Sequence, residues 1–91
     1  MIDSWATEIG VSVTRVQIRK MKRKWGSVST AGILTLSSHL LCLPLDLAEY
    51  VIVHELVHLR CPDHSKAWKV SMGLYLPDWR IRHSQLQKHR L

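Results

Sequence analysis

Long apolar runs are missing from this sequence of 91 residues. Its most apolar stretches, such as Val51 to Val53 and Leu40 to Leu43, fall far short of the ~20 residues that a membrane span requires, so no membrane contact is expected. The chain opens Met-Ile-Asp-Ser-Trp, without a basic segment followed by an apolar run. No secretory signal is therefore expected, and a cytoplasmic location is inferred. Cysteine is scarce: Cys42 and Cys61 are too few and too far apart for a disulfide framework, which implies free thiols in a reducing compartment. Low-complexity blocks, internal repeats and linkers are also missing, which leaves residues 1–91 as a single folded domain. A chain of this size buries about 60 to 65% of the surface that its unfolded form exposes, enough for one modest core.

What is present is an ordinary globular composition, 46% hydrophobic and 22% charged, with a formal net charge of +6. Basic residues gather at Arg15, Arg19, Lys20, Lys22, Arg23 and Lys24, and again at Arg80, Arg82, Lys88 and Arg90. Such a surface suits a nucleic-acid or nucleotide partner, because positive charge attracts phosphates over long range. Two solvated faces are the plainer reading.

Residues Asp3 to Ile9 can form a short helix ending at Gly10, the residue type suited to the left-handed position past a helix end. Val11, Val13, Val16 and Ile18 show period-two spacing with a phase change at Thr14, which reads as one bulged strand or two short pieces. Ile33 to Ser37 is a second strand. The turn-rich segment between them, Trp25-Gly26-Ser27 and Thr30-Ala31-Gly32, is expected to join the two as an irregular hairpin in a small antiparallel sheet. After Pro44, Asp46 and Glu49 approximate a capping box, so a helix should run from there to about Arg60 and stop before Pro62. Its apolar residues leave almost no polar stripe, so it should be covered on most sides. Ser65 can cap a helix through Trp68, Met72 and Leu76, and Asp78 a last one toward Lys88. The order of elements is that of an α+β fold in which a small sheet packs on one central helix and further helices follow.

The segment His54-Glu55-Leu56-Val57-His58 carries the chemistry. Residues four apart share a helix face, so both imidazoles can bind one metal ion. Glu55 is offset by one position, free to reach a metal-bound water as general base. Left buried and unpaired, each of these polar groups would cost of the order of 1 to 3 kcal/mol, so a common partner is the economical explanation. A pair of core histidines bonded to nearby carbonyls is the alternative. His64, just past the turn at Pro62, is placed to supply a third nitrogen, and Cys61 is its rival through a thiolate. His64 is preferred. Three protein ligands leave one position open for water, the arrangement of a catalytic zinc site. The His58-to-His64 spacing equals that of metzincins, but Cys61 stands where their glycine would be. His39, His83 and His89 have no partner at ligand spacing and are read as surface or supporting groups. Tyr50, Tyr75 or a nearby Arg could steady a developing oxyanion, and the four tryptophans are read as packing groups.

Ile18-Arg19, Met21-Lys22, Lys24-Trp25-Gly26-Ser27, Ile33-Leu34-Thr35-Leu36, His54-Glu55-Leu56-Val57-His58-Leu59, His64-Ser65, Trp68 and Leu76-Pro77-Asp78 together resemble the YgjP-like metallopeptidase domain, a relative of the SprT and gluzincin-like enzymes. The resemblance extends from about Trp5 to Arg82. It implies a minimal zincin-like fold whose zinc ligands map to His54, His58 and His64, with Glu55 in the base position. The family's Trp-Gly-Ser-Cys run reads Trp25-Gly26-Ser27-Val28 here. Three functions follow in order of preference: a zinc peptidase acting on a peptide or protein strand, a zinc-dependent nucleoside triphosphate hydrolase with Arg19, Lys22 or Arg23 on the phosphates, and a non-catalytic nucleic-acid-binding module. The oligomeric state stays open.

Overall fold

Apolar residues run almost all round the segment after Pro44, and in the computed structural model that segment becomes the helix on which the rest of the chain packs. The structure describes residues 1–89; Arg90, counted above in the C-terminal basic cluster, and Leu91 lie outside the described residues. The order is α1 (Ile2–Ile9), β1 (Arg15–Arg19), β2 (Gly26–Val28), β3 (Ile33–Ser37), a 3-10 turn (Ser38–Cys42), α2 (Leu45–His58), α3 (Lys66–Tyr75) and α4 (Trp79–Leu86). Helix α2 contacts α1, β2, α3 and α4, which is why Leu47, Tyr50, Val51, Ile52, Val53, Leu56 and Val57 are all buried along it. Burying each such side chain stabilises by about 1.5–3 kcal/mol. The α+β class is as expected, and no described helix is long and apolar enough to cross a membrane.

The sheet differs from the expected antiparallel hairpin. Its strand order is β1-β3-β2; β2 is antiparallel to β3, but β1 runs parallel to β3, with Arg15 opposite Ile33 and Arg19 opposite Ser37. The reason lies in the turn-rich segment, which itself supplies a strand. Gly26 to Val28 pairs with Leu36 to Leu34, and the tight turn is Ser29–Gly32, closed by Gly32 N–H donating to Ser29 O. With β2 inserted, the chain reverses twice between β1 and β3. Val11 and Val13 fall before β1, while Val16 and Ile18 are 45% and 60% exposed on it. Gly26 is a point of close approach: a Cβ there would meet Thr35 O at 3.2 Å and Val51 Cγ1 at 3.3 Å. It thus lets β2 lie directly against α2.

The expected caps form differently. Gly10 ends α1 in the left-handed region, as the sequence implied. Helix α2 begins after Pro44 without a capping box, because Glu49 is engaged elsewhere: its carboxylate accepts from Trp5 Nε1 at 2.9 Å and Arg82 Nη1 at 2.8 Å. Ser65 sits at the start of α3, but Asp63 supplies the side-chain oxygen there, accepting from Ser65 N–H. Asp78 precedes α4 and pairs with Arg82 rather than capping. Arg82 is therefore no solvated charge. It ties α4 to α2 through Glu49 and the Asp46 carbonyl.

Candidate metal centre

One turn of α2 separates His54 from His58, and the chain then doubles back to present His64. The return begins at the helix end, where Cys61 N–H donates to Val57 O, and is completed by the Asp63–Ser65 turn. His54 Nε2, His58 Nε2 and His64 Nε2 form a nearly equilateral triangle, with separations of 3.2, 3.1 and 3.2 Å. Four-coordinate zinc with bonds of about 2.0–2.1 Å holds neighbouring nitrogens about 3.3 Å apart, so the triangle fits that ion. The three histidines form the one group of potential metal ligands found among the described residues. Cys61 enters through its backbone, not its sulfur: its carbonyl accepts from His58 Nδ1 at 3.0 Å.

That bond decides a tautomer. A carbonyl only accepts, so His58 carries its ring proton on Nδ1 and turns a lone pair from Nε2 to the centre. Burial, reinforced by the neighbouring His58, His64 and His83, lowers the His54 pKa to about 3; burial also lowers that of His58, against the pull of the Cys61 carbonyl. Neutral rings with free lone pairs are what a cation needs. His58 closes α2, where the carbonyl end of the helix dipole also favours positive charge. Trp68, 2% exposed on α3, lies under all three imidazoles at ring-centre distances of 4.9, 5.6 and 4.7 Å. It is the floor of the site, a role its isolated place in the sequence did not reveal.

Glu55 stands beside the cluster without joining it, its Oε2 3.8 Å from His54 Nε2. Burial pushes its carboxyl up to about 7, opposed by the positive charge of Lys24. The side chains open onto a groove of about 630 Å³, walled on one side by Trp25 to Thr30, including β2, and on the other by α2. Lys24 is the one Lys or Arg lining it among the described residues; Arg19, Lys22 and Arg23 do not, so the phosphate clamp of the triphosphate reading is not assembled.

Tyr50 is buried, with its hydroxyl 3.2 Å from His54 Nδ1 and 2.8 Å from His83 Nδ1. It is thereby committed to the histidines, and burial first, then the Glu55 charge, push its pKa up to about 12. Tyr75 packs edge-on against Trp5, away from the groove. His83, which had no partner at ligand spacing, is brought to the site only because α4 folds back over α2. Hydrogen bonding between α4 and α2 has no counterpart in sequence periodicity.

Solved structures share this fold, among them two metallopeptidase zymogens. The metallopeptidase zymogen abylysin of Pyrococcus abyssi superposes with a TM-score of 0.84 at 22% identity, over 96% of this chain and 89% of that one. The metallopeptidase zymogen jannalysin of Methanocaldococcus jannaschii does so with a TM-score of 0.76 at 20% identity, over 94% and 92%. No curated protein sequence matches significantly. The sequence profile of the YgjP-like, metallopeptidase domain family matches residues 1–89, so the chain belongs to that family of peptidase-like hydrolases.

Proposed function

We propose that this protein is a zinc peptidase in which His54, His58 and His64 hold the metal and Glu55 is the general base. The observation that carries the reading is the triangle of three Nε2 atoms with a carboxylate oxygen 3.8 Å from one of them, at the floor of an open groove. Bound there, zinc would supply Lewis acidity, polarising a peptide carbonyl and making the attacking water more acidic. Glu55 takes that water's proton at its carboxylate and passes it to the departing amine.

Among the described residues strand β2 is a sheet edge, paired with β3 on one side, and its residues line the groove. An extended peptide adding to that edge would use main-chain hydrogen bonds for affinity while crossing the histidines. A peptide or protein strand is accordingly the proposed substrate. Both cysteines are free, which supports a cytoplasmic setting, and one core cluster spans α1 to α4, which supports residues 1–91 as one catalytic domain.

The test compares the parent with Glu55→Gln in zinc content and in cleavage of a mixed quenched-fluorescent peptide library. The expected result is about one zinc per chain in both proteins, as three histidine ligands with an open position require. Cleavage by the variant should fall about 10²- to 10⁴-fold, the usual loss of a general base. A zinc-loaded parent that cleaves nothing in the library would reject the peptidase reading.

A further inference from the structure

One buried hydroxyl connects the three-histidine cluster to a histidine outside it. Tyr50 is 2% exposed, and its hydroxyl contacts His54 Nδ1 at 3.2 Å and His83 Nδ1 at 2.8 Å; no third partner is found among the described residues. A phenol offers one proton and accepts through its oxygen lone pairs. For His54 to turn the lone pair of Nε2 to a cation, its ring proton must sit on Nδ1, where it is donated to Tyr50 Oη. Tyr50's own proton then goes to His83 Nδ1, the acceptor that remains. His83 is left with its proton on Nε2. A doubly protonated His83 would also carry a proton on Nε2, but it would strand the Tyr50 hydroxyl proton without an acceptor. In both states Nε2 is a donor.

The ring bearing that donor lines the same groove as His54, Glu55 and His64. Its position is not left to chance. The adjacent Arg82 locks α4 onto α2 through Glu49 Oε1 at 2.8 Å and the Asp46 carbonyl at 3.1 Å, while Tyr50 holds the ring from below. An N–H donor whose ring is held by a buried hydroxyl, in the groove that also holds the general base, is suited to a developing oxyanion.

We propose that His83 is a substrate-binding residue whose Nε2–H donates to the substrate oxygen that gains negative charge as the peptide carbonyl is attacked. The inference rests on the peptidase reading. As the water oxygen bonds to the carbonyl carbon, the C=O π pair moves onto the carbonyl oxygen and the water's proton goes to Glu55. When the C–N bond breaks, that pair returns to re-form the carbonyl and the nitrogen takes the proton from Glu55. His83 keeps its own proton throughout, supplying a hydrogen bond that is stronger in the transition state than in the ground state.

Two measurements on the zinc-loaded protein test this. Long-range ¹H–¹⁵N correlation of the histidine rings should show His83 as the Nε2–H tautomer; an Nδ1–H tautomer overturns the proposal whether or not the protein is active. Peptide cleavage by His83→Ala should show kcat reduced about 100-fold with KM little changed. Zinc content should equal the parent's, and His83→Gln, which keeps a donor, should recover part of the loss. Unchanged kcat in His83→Ala, or a loss that only tracks lost zinc, overturns the proposal. If the zinc-loaded parent cleaves no peptide, the peptidase reading fails separately, and binding of a phosphinic dipeptide decides on His83. Affinity about 10-fold or more weaker in His83→Ala supports the contact, which that tetrahedral anion would receive as an oxyanion does; equal affinity overturns it.

Discussion

His58 donates its Nδ1 proton to the carbonyl oxygen of Cys61, 3.0 Å away, at the end of the helix that carries the paired histidines. The contact orients the ring from behind, and because the acceptor belongs to the backbone, the side chain of Cys61 has no part in it. Cys61→Ser should therefore leave zinc content, measured by elemental analysis, at the parent level. A stoichiometric loss of zinc in that variant would make the thiolate a ligand.

His64 comes from a loop and His54 and His58 from a helix, so a bound ion links two segments. Metal removal should then lower stability as well as activity. A ligand present at about 1,000 times its Kd stabilises by about 4 kcal/mol, which in a domain of this size moves the melting midpoint by well over 10 °C. The comparison is thermal unfolding with zinc and with chelator, in the parent and in His64→Ala. An unchanged midpoint in the parent on chelation would contradict the linkage.

Trp68 supports the cluster through packing: among the described residues its buried Nε1–H has no hydrogen-bond partner, while its ring lies against all three imidazoles. Trp68→Ala should cost about 3–5 kcal/mol of unfolding free energy, as large-to-small changes in a core do. Denaturant unfolding of the zinc-free protein measures it. A change under about 1 kcal/mol would mean that the ring is not a core element.

Glu49 has its pKa lowered, chiefly by the Arg82 hydrogen bond, despite partial burial. A carboxylate depressed on folding adds stability above its unfolded value of 4.5, and that stability is lost as pH falls through the lower folded value. With both groups partly exposed, the pair should contribute no more than about 1 kcal/mol. Between about pH 5 and pH 3 the parent's melting midpoint should fall more steeply than that of Glu49→Gln. Parallel pH profiles would remove Glu49 from the acid limb.

The period-two and helical patterns placed α1, β3 and α2 within a residue or two, because those elements follow from local spacing of apolar residues and from glycine and proline at their ends. Strand β2 was hidden because three residues, one of them Gly26, are too short a run to show a period. The consequence was the wrong direction for β1. Capping by Asp46 and Glu49 failed for a tertiary reason: Trp5 and Arg82, from α1 and α4, compete for the carboxylate.

What the sequence by itself determined is the chemistry within reach of one helical turn. Two histidines four apart face the same way whatever surrounds them, and a glutamate one position over stands beside them. Tertiary structure decided what lies across the chain from that turn: the nitrogen of His64 within 3.2 Å of both partners, Trp68 beneath them, and the Tyr50–His83 link that α4 brings in. The last of these joins residues far apart in sequence through packing of one element on another. Local periodicity carries no record of which faces will meet.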